Sequence, residues 1–101
     1  MIVVADASPL IFLAKIGRLE LIPTLFGTDI RIPRRVAAEL LSPRADAQER
    51  VVLERFLEGV RVETVARPRA FAAAMSRTDN AALSLALRCK ADCLLCDDRL
   101  L

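Results

Sequence analysis

The chain has no histidine, only three glycines and three cysteines, and no marked excess of either charge, with 15 Lys+Arg against 13 Asp+Glu. Each shortage removes a class of function. Cys93 and Cys96 have CxxC spacing, but without imidazole they cannot complete a common zinc set. The run Cys93-Leu94-Leu95-Cys96 reads as a strand, on which positions three apart face opposite sides. The cysteines, Cys89 included, are therefore expected to be small buried hydrophobes, and the lack of a disulfide framework fits a reducing compartment. The glycines Gly17, Gly27 and Gly59 are not clustered, which leaves no phosphate-cradling loop. A net charge of +2 is too small to argue nucleic-acid binding by itself, so any affinity for a polyanion must be local. Arg31, Arg34 and Arg35 form one basic group and Arg67 and Arg69 a second, with ordinary solvated positions as the competing reading. No uncharged apolar run approaches the roughly 18 residues of a membrane span. No basic segment precedes the first apolar stretch, and Asp6 interrupts that stretch at once, so no secretory signal is expected and the expected location is the cytoplasm.

What is present is an apolar chain, 54% hydrophobic over 101 residues, enough for the core of one small domain. Ile2 to Ala5 is a short β-rich run. In Asp6-Ala7-Ser8-Pro9, Ser8 suits a helix cap and Pro9 the first helical position. Leu10 to Ile16 reads as helix stopped by Gly17, and Leu19 to Phe26 as a second helix that Pro23 kinks or splits and Gly27 stops. Asp29 to Ile32 alternates like a strand ended by Pro33, and Arg34 to Leu41 is helical. After the break at Ser42-Pro43, Asp46 to Leu57 carries an apolar stripe at Val51, Val52, Leu53, Phe56 and Leu57. Val60 to Val65 alternates like a third strand. Pro68 to Met75 reads as a short helix, Asp79 to Lys90 as a long one, and Asp92 to Cys96 as a fourth strand. Strands separated by helices predict an α/β fold with a parallel sheet covered on both faces.

Acidic residues stand at the edges of these apolar elements: Asp6 after the first strand, Glu39 within the third helix, three residues after Val36 and so expected near its buried face, Asp79 at the start of the long helix, and Asp97 and Asp98 after the fourth strand. Ligands of open α/β sheets sit beyond the carboxyl ends of the strands. Carboxylates gathered there repel one another unless they are protonated or bind a cation, and an oxygen-only set suits Mg²⁺ or Mn²⁺. Such a cation activates water and offsets charge on a phosphoryl group, which makes phosphodiester hydrolysis the natural reaction. Each acid also has a simpler role: an Asx turn for Asp6, a helix cap for Asp79, a solvated turn for Asp97-Asp98, and an i,i+4 pair with Arg35 for Glu39.

The opening Asp6-Ala7-Ser8-Pro9-Leu10-Ile11, continuing through Leu13-Ala14-Lys15-Ile16-Gly17-Arg18-Leu19, resembles the start of PIN-domain proteins, in particular the VapC-like branch that begins D-x-S-P-L-I. Ile32-Pro33 with Val36 and Glu39 is similar to that family's second acidic motif, Asp79-Asn80-Ala81-Ala82-Leu83-Ser84-Leu85-Ala86 to its third, and Leu94-Leu95-Cys96-Asp97-Asp98-Arg99 to its fourth. The opening motif is the specific one, and the order of all four is the family's. The resemblance implies a single PIN-like domain over residues 1–101, a three-layer α/β/α sandwich with a central parallel sheet, short of the family's last strand and helix. It implies a Mg²⁺- or Mn²⁺-dependent ribonuclease with Asp6, Glu39, Asp79 and Asp98 as catalytic metal ligands, Asp97 as a further ligand, and Ser8 orienting Asp6 or a ligand water. Its substrate would be RNA, and a toxin's partner would be a small antitoxin protein. Cys96 departs from the Thr often found at its position. The alternative is a catalytically inactive remnant that keeps the fold and serves as a protein-interaction module, binding an antitoxin-like chain or a second copy as a homodimer. A phosphoryl-transfer domain ranks lower, for want of a nucleophile context and a Gly loop.

Overall fold

The computed structural model describes residues 1–43, 46–65 and 77–96, and among these the side chains of all but 77–79. In chain order the elements are β1 (Val3–Ala5), α1 (Ala7–Lys15), α2 (Leu21–Phe26), β2 (Ile30–Pro33), α3 (Arg34–Leu40), α4 (Ala47–Glu58), β3 (Arg61–Glu63), α5 (Arg77–Arg88) and β4 (Cys93–Leu95). The four strands form one sheet in the order β3-β2-β1-β4, and every pairing is parallel. The expected α/β class and its central parallel sheet are therefore present. The helix expected over Pro68 to Met75 lies outside the described residues.

β1 is the centre of the sheet, and its sequence explains why. Val3, Val4 and Ala5 are all fully buried, the continuous apolar run of a parallel strand covered on both faces. Alternation then sends neighbours to opposite layers. Ala5 joins Ile30 and Ile32 of β2 in a core built with α1, α2, α3 and α4. Val4 instead packs with Ala82 and Leu85 of α5, flanked by Leu94 of β4. The result is three layers, with α1 to α4 on one face and α5 on the other. None of the described helices is long and apolar enough to cross a membrane.

Several boundaries differ from the sequence reading. The helix expected from Leu10 begins at Ala7, because Asp6 rather than Ser8 is its cap. Pro9 thus becomes the third helical residue, where its missing N–H costs nothing, since the first four N–H groups of a helix have no internal acceptor. Pro23 likewise falls third in α2, so that helix starts two residues later than expected and is not split. Gly17 and Gly27 end their helices at φ +69° and +88°, a region open to glycine without cost. Pro33 closes β2 from within, paired with Glu63. In α4 only Leu53 is fully buried, with Phe56 and Leu57 half-buried against the core. Val51 and Val52, expected on the buried stripe, are 59% and 43% exposed.

Candidate metal centre at the carboxyl edge of the sheet

The connections define where a ligand would sit. From β1 the chain moves sideways to β2 and β3, then crosses back over the sheet to place β4 on the other side of β1. The direction of winding reverses between β1 and β4, and the crevice beyond their carboxyl ends is the usual ligand position in such sheets. Asp6 is the first residue past β1 at that point.

Asp6 is held there by its own backbone. Its N–H donates to the Leu95 carbonyl at 2.9 Å, continuing the β1–β4 ladder one step past the strand. Its φ and ψ of −90° and 174° then end the strand, and Oδ1 accepts the Ala7 N–H at 2.7 Å as the N-cap of α1. In place of the Asx turn expected as its simpler role, Asp6 serves as a helix cap, and that role coexists with burial: Asp6 is 3% exposed. Burying a carboxylate is costly unless it is well paired. A carboxylate offers about four acceptor positions, and one of them takes the Ala7 N–H.

Glu39 is positioned by a different route, and the groove that it lines does not include Asp6. β2 ends at Pro33 and α3 starts at Arg34, so this helix leads away from the carboxyl end of the strand beside β1. Val36, Ala37 and Leu40 face the core, while Glu39 is exposed rather than near the buried face as the sequence reading expected. It lines an open groove of about 610 Å³ together with Ile11 and Lys15 of α1 and Leu53 of α4. Ile11 is one helical turn past Asp6's end of α1. Lys15 in that groove pairs with Glu49 at 3.6 Å.

Asp79 is the third residue of α5, inside the helix rather than at its cap. Ala81, two residues on, lines a pocket with Pro33 and Thr64 at the ends of β2 and β3, so α5 begins at the carboxyl edge of the sheet. The side chain of Asp79, and all of Asp97 and Asp98, lie outside the described residues. The last described residue, Cys96, follows β4 directly and is half-buried. Among the described residues no three carboxylates or thiols are grouped as a metal site. Asp6 and Glu39 supply oxygen donors only, the chemistry that suits Mg²⁺ or Mn²⁺ rather than a softer ion.

Ser8 is exposed in the first turn of α1, and the Ala7 N–H donates to Asp6 Oδ1. The three cysteines are free thiols and half-buried, less enclosed than expected. Cys89 packs beside Ala86 and Leu94 in the α5 layer. Sequence reasoning passed over Ser84. With Asp6 it makes up the buried polar side chains among the described residues, at 2% exposure. The signal was there: Ser84 falls on the stripe of Ala81, Ala82 and Leu85, where a polar residue is out of pattern.

A family model described as a PIN domain matches residues 2–101, and the chain belongs to that family. PIN domains are usually nucleases and generally use divalent metal ions, so a nuclease-like function follows for this chain at that level. No curated protein and no solved structure matches it.

Proposed function

We propose that this protein is a metal-dependent ribonuclease of the PIN/VapC type, hydrolysing RNA phosphodiester bonds. The observation that supports it most is the buried, backbone-anchored carboxylate of Asp6 at the point where the winding of the sheet reverses. Asp6, Glu39, Asp79 and Asp98 would hold Mg²⁺ or Mn²⁺, with Asp97 assisting. When bound, the cation supplies the Lewis acidity that activates water and offsets charge on the phosphoryl oxygens.

The chain's own residues supply placement. Asp6 is oriented before any ligand arrives, since the Ala7 N–H holds Oδ1 and the Leu95 carbonyl holds the backbone. Such preorganisation avoids reorganisation during reaction. Glu39 would contribute from the exposed side of α3, accessible to a long polymer. Ser8, exposed in the first turn of α1, would touch a ligand water rather than cap the helix.

Incubation with a quenched fluorescent single-stranded RNA tests this reading. Cleavage with Mn²⁺ or Mg²⁺ that EDTA abolishes is the expected result, and no cleavage by the folded chain contradicts it. Service as a toxin in the cytoplasm, held in check by an antitoxin, is a narrower form of the same proposal and rests on the D-x-S-P-L-I opening.

A second reading, the interaction module, is favoured by one observation. Phe12 of α1 and Ile16 at its C-cap are 61% and 52% exposed, and Val51 and Val52 of α4, the helix packed against α1, are 59% and 43% exposed. Exposed apolar side chains, where they form a contiguous patch, mark protein–protein contacts. Light scattering on the purified chain separates a homodimer from a monomer that awaits another protein.

A further inference from the structure

We infer that Arg34 and Arg35 form a binding subsite for a phosphodiester group of single-stranded RNA, beside the proposed metal centre. The inference deepens the ribonuclease reading and rests on it for the identity of the polymer. A pocket of about 380 Å³ opens at the carboxyl edge of the sheet, lined by Pro33, Arg34, Arg35 and Ala38 from the end of β2 and α3, Thr64 past β3, and Ala81 in α5. No carboxylate is among its described lining residues. Neither arginine is engaged in an ion pair among the described residues, whereas Arg18 and Arg31 are. Two guanidinium groups thus line one concavity with no ion-pair partner among the described residues.

One of them is also aimed. The Arg34 Nε donates to Thr64 Oγ1 at 3.2 Å, a link from α3 to the segment after β3, 30 residues away in sequence. A guanidinium held through Nε keeps its terminal N–H groups available, and their planar fork matches two oxygens of a phosphate. Restricting the side chain beforehand lowers the entropy lost on binding. The subsite has a register with the chemistry, because Arg35 and Glu39 are four residues apart on α3, about 6 Å along the helix axis. A phosphate held at Arg34 and Arg35 would therefore belong to a nucleotide next to the one being cut. The near-neutral balance of the whole chain, +2, makes such a local cationic pocket the natural place for the affinity that net charge does not provide.

The test uses the full chain with Arg34→Gln, Arg35→Gln, the double variant and Thr64→Val, all at exposed positions, with melting curves to confirm folding. Binding of a single-stranded RNA oligonucleotide is followed by fluorescence anisotropy in EDTA, where nothing is cut, and cleavage is followed separately with Mn²⁺. The double variant is expected to weaken binding and raise KM by about tenfold with little change in kcat. It should also reduce the slope of log affinity against log salt by about 0.7, the loss of one phosphate contact on a single strand. Thr64→Val should give a smaller rise in KM through Arg34. Unchanged affinity and salt slope in the double variant, with wild-type cleavage intact, overturn the subsite and leave the ribonuclease reading standing. RNA binding that depends on the arginines in a chain that never cleaves supports the subsite and overturns the ribonuclease reading. Wild-type chain that does not bind the oligonucleotide overturns the subsite.

Discussion

The Asp6 N–H and the Leu95 carbonyl meet at 2.9 Å, which ties the ends of β1 and β4 together at the point where a ligand of this sheet would enter. Residues 89 positions apart are brought level by that bond, and the acidic pair Asp97-Asp98 follows Leu95 by two and three residues. The pairing gives Asp6 two separable tasks, as a helix cap and as a proposed metal ligand.

Substitutions at Asp6 should pull those tasks apart. Asparagine caps a helix about as well as aspartate, whereas alanine at a cap costs about 1 kcal/mol. Asp6→Asn is expected to melt near the wild type, and Asp6→Ala to melt lower by about 4–8 °C for a chain of this size. Both should lose cleavage. Thermal unfolding by circular dichroism beside the RNA assay reads the two effects, and an Asp6→Asn chain that still cuts RNA removes Asp6 from the chemistry.

Glu39 should show the opposite balance. It is exposed, so Glu39→Gln should change stability by no more than about 0.5 kcal/mol. Cleavage should nonetheless fall about 100-fold, equivalent to about 3 kcal/mol at the barrier. Single-turnover rates at saturating RNA measure this, and an unchanged rate would place Glu39 among the ordinary surface acids of α3.

The packing of α4 rests on one side chain. Leu53 is 1% exposed while Val51 is 59% exposed. Leu53→Ala is expected to cost about 2–5 kcal/mol through lost contacts and a residual cavity, and Val51→Ala about 0.5 kcal/mol or less. Urea midpoints of the two variants compare them directly, and equal midpoints would show that α4 is not anchored as described.

Among the described residues, Asp29 is an assignable contributor to acid stability. The Arg31 side chain hydrogen-bonds Asp29 at 3.2 Å and holds its carboxyl below the usual carboxylate range. A depressed folded-state pKa means that the contribution is present above the unfolded value of about 3.9 and is lost as the pH falls through the lower, folded value. Asp29→Asn should therefore lower stability slightly near neutrality and converge with the wild type as the pH falls below about 4. Urea midpoints from pH 3 to pH 7 check the convergence, and a constant difference across that range contradicts it.

Local chemistry made much of this legible from sequence. The all-apolar Ile2 to Ala5 followed by an acid announced both β1 and the placement of Asp6 at its end. Three features resisted. Asp6 and Ser8 are both good cap residues, and only the β1–β4 ladder, a long-range pairing, selects Asp6 and so moves Ser8 and Pro9 into the helix. The stripe in α4 read too wide because Val51 and Val52 fit the helical period. Which part of an apolar arc is covered depends on the neighbouring helices, and here the packing turns Leu53, Phe56 and Leu57 inward. The exposure of Glu39 escaped for the same reason. Val36, three residues before it, is buried, yet the core-facing edge of α3 runs through Val36, Ala37 and Leu40 and leaves Glu39 just outside.

The most direct measurement is binding of Mn²⁺ to the wild type and to Asp6→Asn, read from the electron paramagnetic resonance signal of free Mn²⁺, with RNA cleavage followed in the same samples. The account predicts that wild-type chain removes Mn²⁺ from solution and cuts RNA, and that Asp6→Asn, folded as judged by its melting curve, loses both together. Equal Mn²⁺ binding and equal cleavage by the two chains would contradict it.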